Sequence, residues 1–256
     1  MNMNGPVPRT RSERLDTSRL IADNLHARYG HELLALGLYG SMARGTDGPY
    51  SDIEIFCVLR ESALSDEACY EWSSGPWKAE VNVCFAHSLL QEAASVDGSW
   101  PLTHGPYFTP LSLYDPEGFF PQLRQATESP ERRHFKQAIE EVLVGEMYEF
   151  AGKLRNASRN GAHSFLPYLA MEFAHYGAML VGLHNRTYYS TGSRVFLESL
   201  ELPGRPAGFD PLLELVMSGA LSKPETIVEA CEAFWSGLGT WAAEHDYVIS
   251  TGRMPF

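Results

Sequence analysis

Two apolar runs bracket the stretch that most restricts this chain. Leu33-Leu34-Ala35-Leu36-Gly37-Leu38-Tyr39 reads as a buried strand, and Ser51-Asp52-Ile53-Glu54-Ile55-Phe56-Cys57-Val58-Leu59 as a second. Between them runs Gly40-Ser41-Met42-Ala43-Arg44-Gly45. Gly40 lets the chain turn tightly as it leaves the first strand. Ser41 and the amides behind it can face an anion. Arg44, in the following turn, can add charge-assisted hydrogen bonds to phosphate. Asp52 and Glu54 are two apart on a strand, so both project from one face, ~6.6 Å apart along it. Ile53 and Ile55 then point the other way, into the core. Two carboxylates side by side on an apolar strand are costly unless a cation sits between them. Hard oxygen ligands beside phosphate suit Mg²⁺.

A third strand is expected over 77–85, after a turn at Gly75-Pro76. Lys78, Glu80 and Asn82 share its polar face, and Trp77, Ala79, Val81 and Val83 the other. If it pairs beside 51–59 with polar faces aligned, Glu80 completes a three-carboxylate cluster. Such a cluster can hold metal ions that clamp the attacking and leaving oxygens of a phosphoryl or nucleotidyl transfer. No G-x-x-x-x-G-K-[ST] or G-x-G-x-x-G motif is present, so phosphate chemistry would use this other design. D-x-E on a strand, taken alone, also fits a solvent-facing edge. Its position shortly after G-S-x-x-x-G is what makes it specific.

Around this centre the pattern divides. Thr10 and Glu13 form a capping box for a helix running to about Tyr29, where Gly30 stops it. A helix is expected near 87–95, then an irregular stretch over 98–118. Beyond that the pattern is helical. Ser129 and Pro130 open a helix to about Asn156, and 165–185 forms another. Shorter helices fall near 193–200 and 210–218. Ser222 and Glu225 make a second capping box, with Pro224 in the first turn, before a helix to about His245. The expectation is an α+β chain, with an N-terminal domain over 1–127 and a helical domain over 128–256.

The 256 residues carry 20 Lys+Arg against 32 Asp+Glu, a net charge of −12 spread over the whole chain. That opposes nucleic-acid binding, which needs a basic footprint, and an anionic membrane surface. It is compatible with a cationic partner. Of four cysteines, Cys57 and Cys84 sit in apolar runs and read as small hydrophobes. Scattered cysteines fit a reducing compartment. The start, Met1-Asn2-Met3-Asn4-Gly5-Pro6, shows no signal pattern, and no apolar stretch approaches the ~18–20 residues of a membrane span. A cytoplasmic bacterial protein is expected. Cys84 and His87 have zinc-like spacing but no second pair, so no zinc site is assigned.

G-S-x-x-x-G followed by D-x-E on a strand is the signature of the nucleotidyltransferase superfamily, whose core resembles that of DNA polymerase beta. Longer segments are similar to the kanamycin nucleotidyltransferases, the aminoglycoside 4'-O-nucleotidyltransferases of resistant bacteria. They are Leu38-Tyr39-Gly40-Ser41, Thr46 to Glu54, Trp100 to Gly105, Glu149-Phe150-Ala151-Gly152-Lys153, Gly177 to His184 and Pro255-Phe256. The resemblance spans essentially the whole chain. It implies an N-terminal mixed sheet that binds Mg-ATP, completed by a helical bundle. It implies metal binding by Asp52, Glu54 and Glu80, and triphosphate contacts from Ser41, Arg44 and Lys153. Glu149 would be the general base, and Lys78, Glu80, Glu146 and Glu149 would contact the antibiotic. It also implies a homodimer with sites at the interface. The residues are compatible with this. Glu146, Glu149 and Lys153 fall at i, i+3 and i+7, on one helix face, and Glu149 precedes Lys153 in the order that favours an ion pair. A surface pair worth ~0.3–0.5 kcal/mol reads the same way.

Two departures touch the sugar side. The family's two consecutive glutamates are Gly145-Glu146 here, and its glutamine after His-Gly is Pro106. The expected reaction is transfer of AMP from ATP to a 4'-hydroxyl of a kanamycin-, tobramycin- or amikacin-type drug, with release of pyrophosphate. Two other readings stand beside it. One is a nucleotidyltransferase for another small molecule or a protein hydroxyl. The other is a non-catalytic nucleotide-sensing module, which fits poorly with a complete carboxylate set.

Overall fold

The computed structural model describes residues 5–61, 66–73, 77–249 and 254. The turn expected at Gly75-Pro76, the first four residues and Pro255-Phe256 lie outside them. In chain order the elements are α1 (Arg11–Tyr29), β1 (Leu33–Leu38), α2 (Gly40–Arg44), β2 (Ile53–Leu59), β3 (Ala68–Ser73), β4 (Lys78–Phe85) and α3 (Ala86–Ala93). Next come α4 (Trp100–Thr103), α5 (Gly105–Phe108), β5 (Leu111–Tyr114), α6 (Phe119–Glu128) and α7 (Arg132–Val142). A π-helical turn, Leu143–Met147, leads into α8 (Tyr148–Arg159). Then follow α9 (Leu166–Asn185), α10 (Val195–Glu201), α11 (Phe209–Met217) and α12 (Pro224–Glu244).

The chain folds into two units. One comprises Met1–Ser95 and His104–Pro130, the other Val96–Thr103 and Glu131–Phe256. The short segment 96–103 therefore belongs with the helices. Trp100 is buried there, edge-on to Phe135 at 4.8 Å, and Pro101 packs under Gly182.

The first unit is a five-stranded mixed sheet of order β3-β4-β2-β1-β5. β2 and β4 are parallel; the other pairs are antiparallel. Alternation along β2 divides its side chains between two apolar layers. Ile53, Ile55, Cys57 and Leu59 pack under α1. Phe56 and Val58 join Tyr39, Leu89, Phe119, Phe120 and Leu123 on the opposite face, with α3 and α6. α1 starts at the expected capping box, with Thr10 Oγ1 accepting from Glu13 N and the Glu13 carboxylate accepting from Thr10 N at 2.7 Å. Its buried stripe is polar at one end: Arg14, Ser18 and Ala22. α6 was not anticipated. Asp115 accepts from Phe119 N (2.7 Å) and Phe120 N (3.1 Å), satisfying first-turn amides. β3 and β5, both at sheet edges, were not anticipated either.

In the second unit α9 is buried on nearly all sides, as an all-round apolar helix must be. α7, α8, α10, α11 and α12 pack on it. The long helix expected from Ser129 does not start there. Ser129 ends α6, its Oγ donating to Ala126 O at 2.7 Å. Glu131 caps α7 instead, in a reciprocal pair with His134. The expected helix is also interrupted by the π turn. The Ser222 capping box does not form; Lys223 holds the cap position of α12, with no side-chain cap bond. Cys57, Cys84 and Cys231 are free thiols whose pKa burial pushes up to about 12, so they behave as packing groups.

Candidate active site

The parallel β2/β4 register sets Glu54 directly beside Glu80. Asp52 immediately precedes β2 rather than lying within it. The three carboxylates are therefore neighbours at one end of two adjacent strands. Their mutual influence appears at Glu54, whose pKa is raised to about 7. Burial is the largest cause, and Asp52 and Glu80 add to it, while Arg44 and Lys78 pull it back. Among the described residues, no three Asp, Glu, His or Cys side chains stand as a ready-made ligating group.

Gly40 fixes the approach of the next turn to this cluster. It opens α2 with φ +66, a left-handed conformation that glycine adopts freely. A Cβ there would fall within the Glu54 carboxylate. So a Gly-Ser turn and a D-x-E strand are in direct contact, which explains why the two motifs occur together. Ser41 lies in the same short helical turn. Arg44, at its end, has a buried Nε without a hydrogen-bond partner among the described residues.

Several supporting groups were not foreseen. Tyr39 donates to Glu80 Oε1 at 2.7 Å, and Asn82 Nδ2 donates to the same oxygen at 2.8 Å and to the Tyr39 hydroxyl at 2.6 Å. Tyr39 stacks on Phe56 at 4.1 Å. Burial, followed by Glu80, drives its pKa upward, so it remains a donor. Lys78 pairs with Glu71 of β3 and reaches 3.9 Å from Asp52 Oδ2. Glu71 lies on β3, an edge strand whose residues carry no strand period in the sequence. The loop between α2 and β2 is held by Asp47, which pairs with both Arg11 and Arg14 of α1. Arg14 also donates to Arg9 O (2.6 Å), and Arg11 to Met42 O (3.0 Å). Burial pushes the Asp47 carboxyl up, but the two guanidiniums outweigh it and hold it below the usual range. The sequence signal was two arginines at i, i+3 with no acid at i+4 to pair them locally.

The remaining expected residues belong to the second unit. Glu149 and Lys153 form an i, i+4 ion pair of 2.5 Å on α8, both half-exposed. Its hydrogen bond to Glu149 raises the Lys153 pKa. Glu146 sits in the π turn, not on a regular α-helical face with Glu149. It lines a cavity of about 330 Å³ with Asp97, Ser99, Glu141, His175 and Tyr176.

Comparison with known proteins identifies the family. Residues 117–248 match the family model described as the KNTase C-terminal domain. The chain is 42% identical to the aminoglycoside nucleotidyltransferase (4') of a Bacillus species, over 255 residues that cover 99% of this chain and all of the relative. It has the same identity and coverage with the enzyme of that name from Staphylococcus aureus. The crystal structure of a nucleotidyltransferase-like protein from Exiguobacterium sibiricum superposes with a TM-score of 0.51 at 10% identity, covering 90% of this chain and 75% of that one. That likeness concerns the fold alone. With full-length identity to both curated relatives, a matching C-terminal domain and the Gly-Ser turn packed on its acidic strand, the chain belongs to the aminoglycoside nucleotidyltransferase (4') family.

Proposed function

We propose that this protein transfers AMP from ATP to the 4'-hydroxyl of an aminoglycoside antibiotic, releasing pyrophosphate and so conferring resistance. The observation that carries this reading is the contact between Gly40 and Glu54 within a crowded carboxylate cluster. Three hard oxygen donors, one of them with its pKa raised by burial and then by its two acidic neighbours, suit a divalent cation. Asp52, Glu54 and Glu80 would hold Mg²⁺. Bound there, it would neutralise triphosphate charge and favour departure of pyrophosphate.

The protein's own groups do the rest. Tyr39 and Asn82 keep Glu80 in one orientation. Ser41, Arg44 and Lys153 position the triphosphate; the unpartnered Nε of Arg44 is a donor in need of an acceptor. Glu149 takes the hydroxyl proton as the antibiotic oxygen attacks the α-phosphorus, and the bond to the pyrophosphate oxygen breaks. Lys78, Glu80, Glu146 and Glu149 would contact the antibiotic. Asp97 and Glu141 share the Glu146 cavity, so ammonium groups still meet carboxylates where the family's extra glutamate is Gly145 here. A homodimer with both subunits contributing to each site, in the bacterial cytoplasm, completes the reading.

The test is pyrophosphate release from ATP, Mg²⁺ and kanamycin. Asp52→Asn should abolish turnover. Glu149→Gln should slow it ~10²–10⁴-fold, the usual range for a positioned base; a loss of only a few-fold would remove Glu149 from that role. Wild-type protein that releases no pyrophosphate with any aminoglycoside would point to a different acceptor hydroxyl.

A further inference from the structure

The second unit contains a cavity of opposite electrostatic character. It has a volume of about 550 Å³, within the ~300–1,000 Å³ range of small-molecule sites. Arg132 and Lys136 of α7, His184 and Arg186 at the end of α9, and His245 and Tyr247 after α12 line it. Arg133 contributes a further cation. In a chain with 20 basic and 32 acidic residues, four of the basic ones converge on this one cavity.

Some of this charge is neutralised within the chain. Lys136 lies 2.9 Å from Asp246 and 3.8 Å from Glu140, and Arg133 lies 3.3 Å from Glu131. Arg132 and Arg186 have no ion pair among the described residues. Arg186 also holds φ +50, a left-handed position where a side chain is disfavoured. α7 opens with Arg132 and Arg133, an order the helix dipole disfavours and the Glu131 cap offsets only in part. The aromatic wall is ordered. His184 Nδ1 is 2.9 Å from the Tyr247 hydroxyl, and the His184 and His245 rings are 4.5 Å apart. Burial, then His245 and Arg132, push the His184 pKa down, which fits a locally positive potential. The cations around this cavity repel one another, and an anion bound there would relieve that repulsion.

We propose that this cavity binds a di- or triphosphate group, with Arg132 and Arg186 as its main contacts. Two unpaired guanidiniums match a multiply charged phosphate chain, because each fork can bind two phosphate oxygens. The space exceeds what one phosphate fills. The same chemistry has two sources: free pyrophosphate, or the phosphates of a nucleotide whose base lies against the His184–Tyr247 wall. The proposal does not depend on the catalytic reading above.

The test is calorimetric titration of the full chain with pyrophosphate, and separately with ATP, in EDTA at about 0.15 M ionic strength. Arg132→Ala with Arg186→Ala should weaken binding by about tenfold or more, as loss of charge-assisted contacts predicts. Arg132→Lys with Arg186→Lys should weaken it less. A cooperative melting transition at or above the wild-type temperature would confirm that both variants fold. Loss for pyrophosphate alone assigns the site to free polyphosphate, and loss for both ligands assigns it to a nucleotide. Isotherms identical to wild type for both ligands would overturn the proposal. So would an equal weakening when sulfate replaces the ligand, or a change in sedimentation with pyrophosphate affinity intact, which would make the cavity a subunit interface.

Discussion

Glu54 is the residue on which the candidate site turns, because its carboxylate touches Gly40 and lies beside both Asp52 and Glu80. Its carboxyl titrates near 4.5 in an unfolded chain and near 7 in the fold. Between those values the folded chain keeps a proton that the unfolded chain releases, so stability falls as pH rises. The contribution is fully present below about pH 4.5 and lost once pH passes about 7. A thermal-melting series in EDTA should show this decline, and Glu54→Gln should flatten it. Adding Mg²⁺ near pH 7.5 should raise the wild-type midpoint and leave Glu54→Gln much less affected. Equal Mg²⁺ shifts in the two proteins would take Glu54 out of the metal-binding set. Without a cation the crowding of carboxylates is a stability defect; under the proposed reading, bound Mg²⁺ would turn the same crowding into ligands.

At the scale of elements, α1 holds the loop that leads into Asp52. Arg14 and Asp47 are almost entirely buried, with side chains 3% and 1% exposed. Deleting one member of such a pair strands the other, at a typical cost of ~3–5 kcal/mol. Asp47→Ala should therefore lower the unfolding free energy obtained from urea melts by an amount in that range, and slow turnover by loosening the loop. A loss under about 1 kcal/mol would show that water can replace the pair. This clamp was not legible in the sequence, because its partners are 33 or more residues apart. Local patterns were legible. The Thr10–Glu13 box closes over three residues, and alternation marked β4, but the pairing of Glu54 with Glu80 needed the two strands to lie side by side, which only the sheet shows. Ser129 and Ser222 misled for the opposite reason. Each has cap chemistry, but Glu131 and Lys223 take the cap positions. β3 and β5 are short edge strands with half-exposed, irregular patterns, so no period marks them. The π turn that carries Glu146 depends on how α7 and α8 each pack on α9, which spacing alone does not encode.

At the scale of the whole molecule, charge is partitioned rather than merely acidic. The first unit gathers carboxylates at the ends of β2 and β4, and the second sets Asp97, Glu141 and Glu146 around one cavity and a cluster of cations around another. A polycationic drug approaching a chain of net charge −12 is drawn in over distances set by the Debye length, ~10 Å at 0.1 M salt and ~3 Å at 1 M. Once bound, it is held by contacts that salt screens much less, and the proton transfer occurs within those contacts. Raising the salt across that range should therefore increase KM for the aminoglycoside several-fold while kcat changes little. Glu141→Gln with Glu146→Gln should raise KM at low salt and reduce its salt dependence, since two of the attracting charges are gone. Steady-state kinetics on wild type and this variant decide the matter. If KM stays flat across the salt series in wild type, the acidity serves solubility alone, and the Glu146 cavity loses its claim on the drug. If both proteins show the same slope, the attraction comes from the remaining acids, and the carboxylates of the β2–β4 cluster become the site where the cation is first captured.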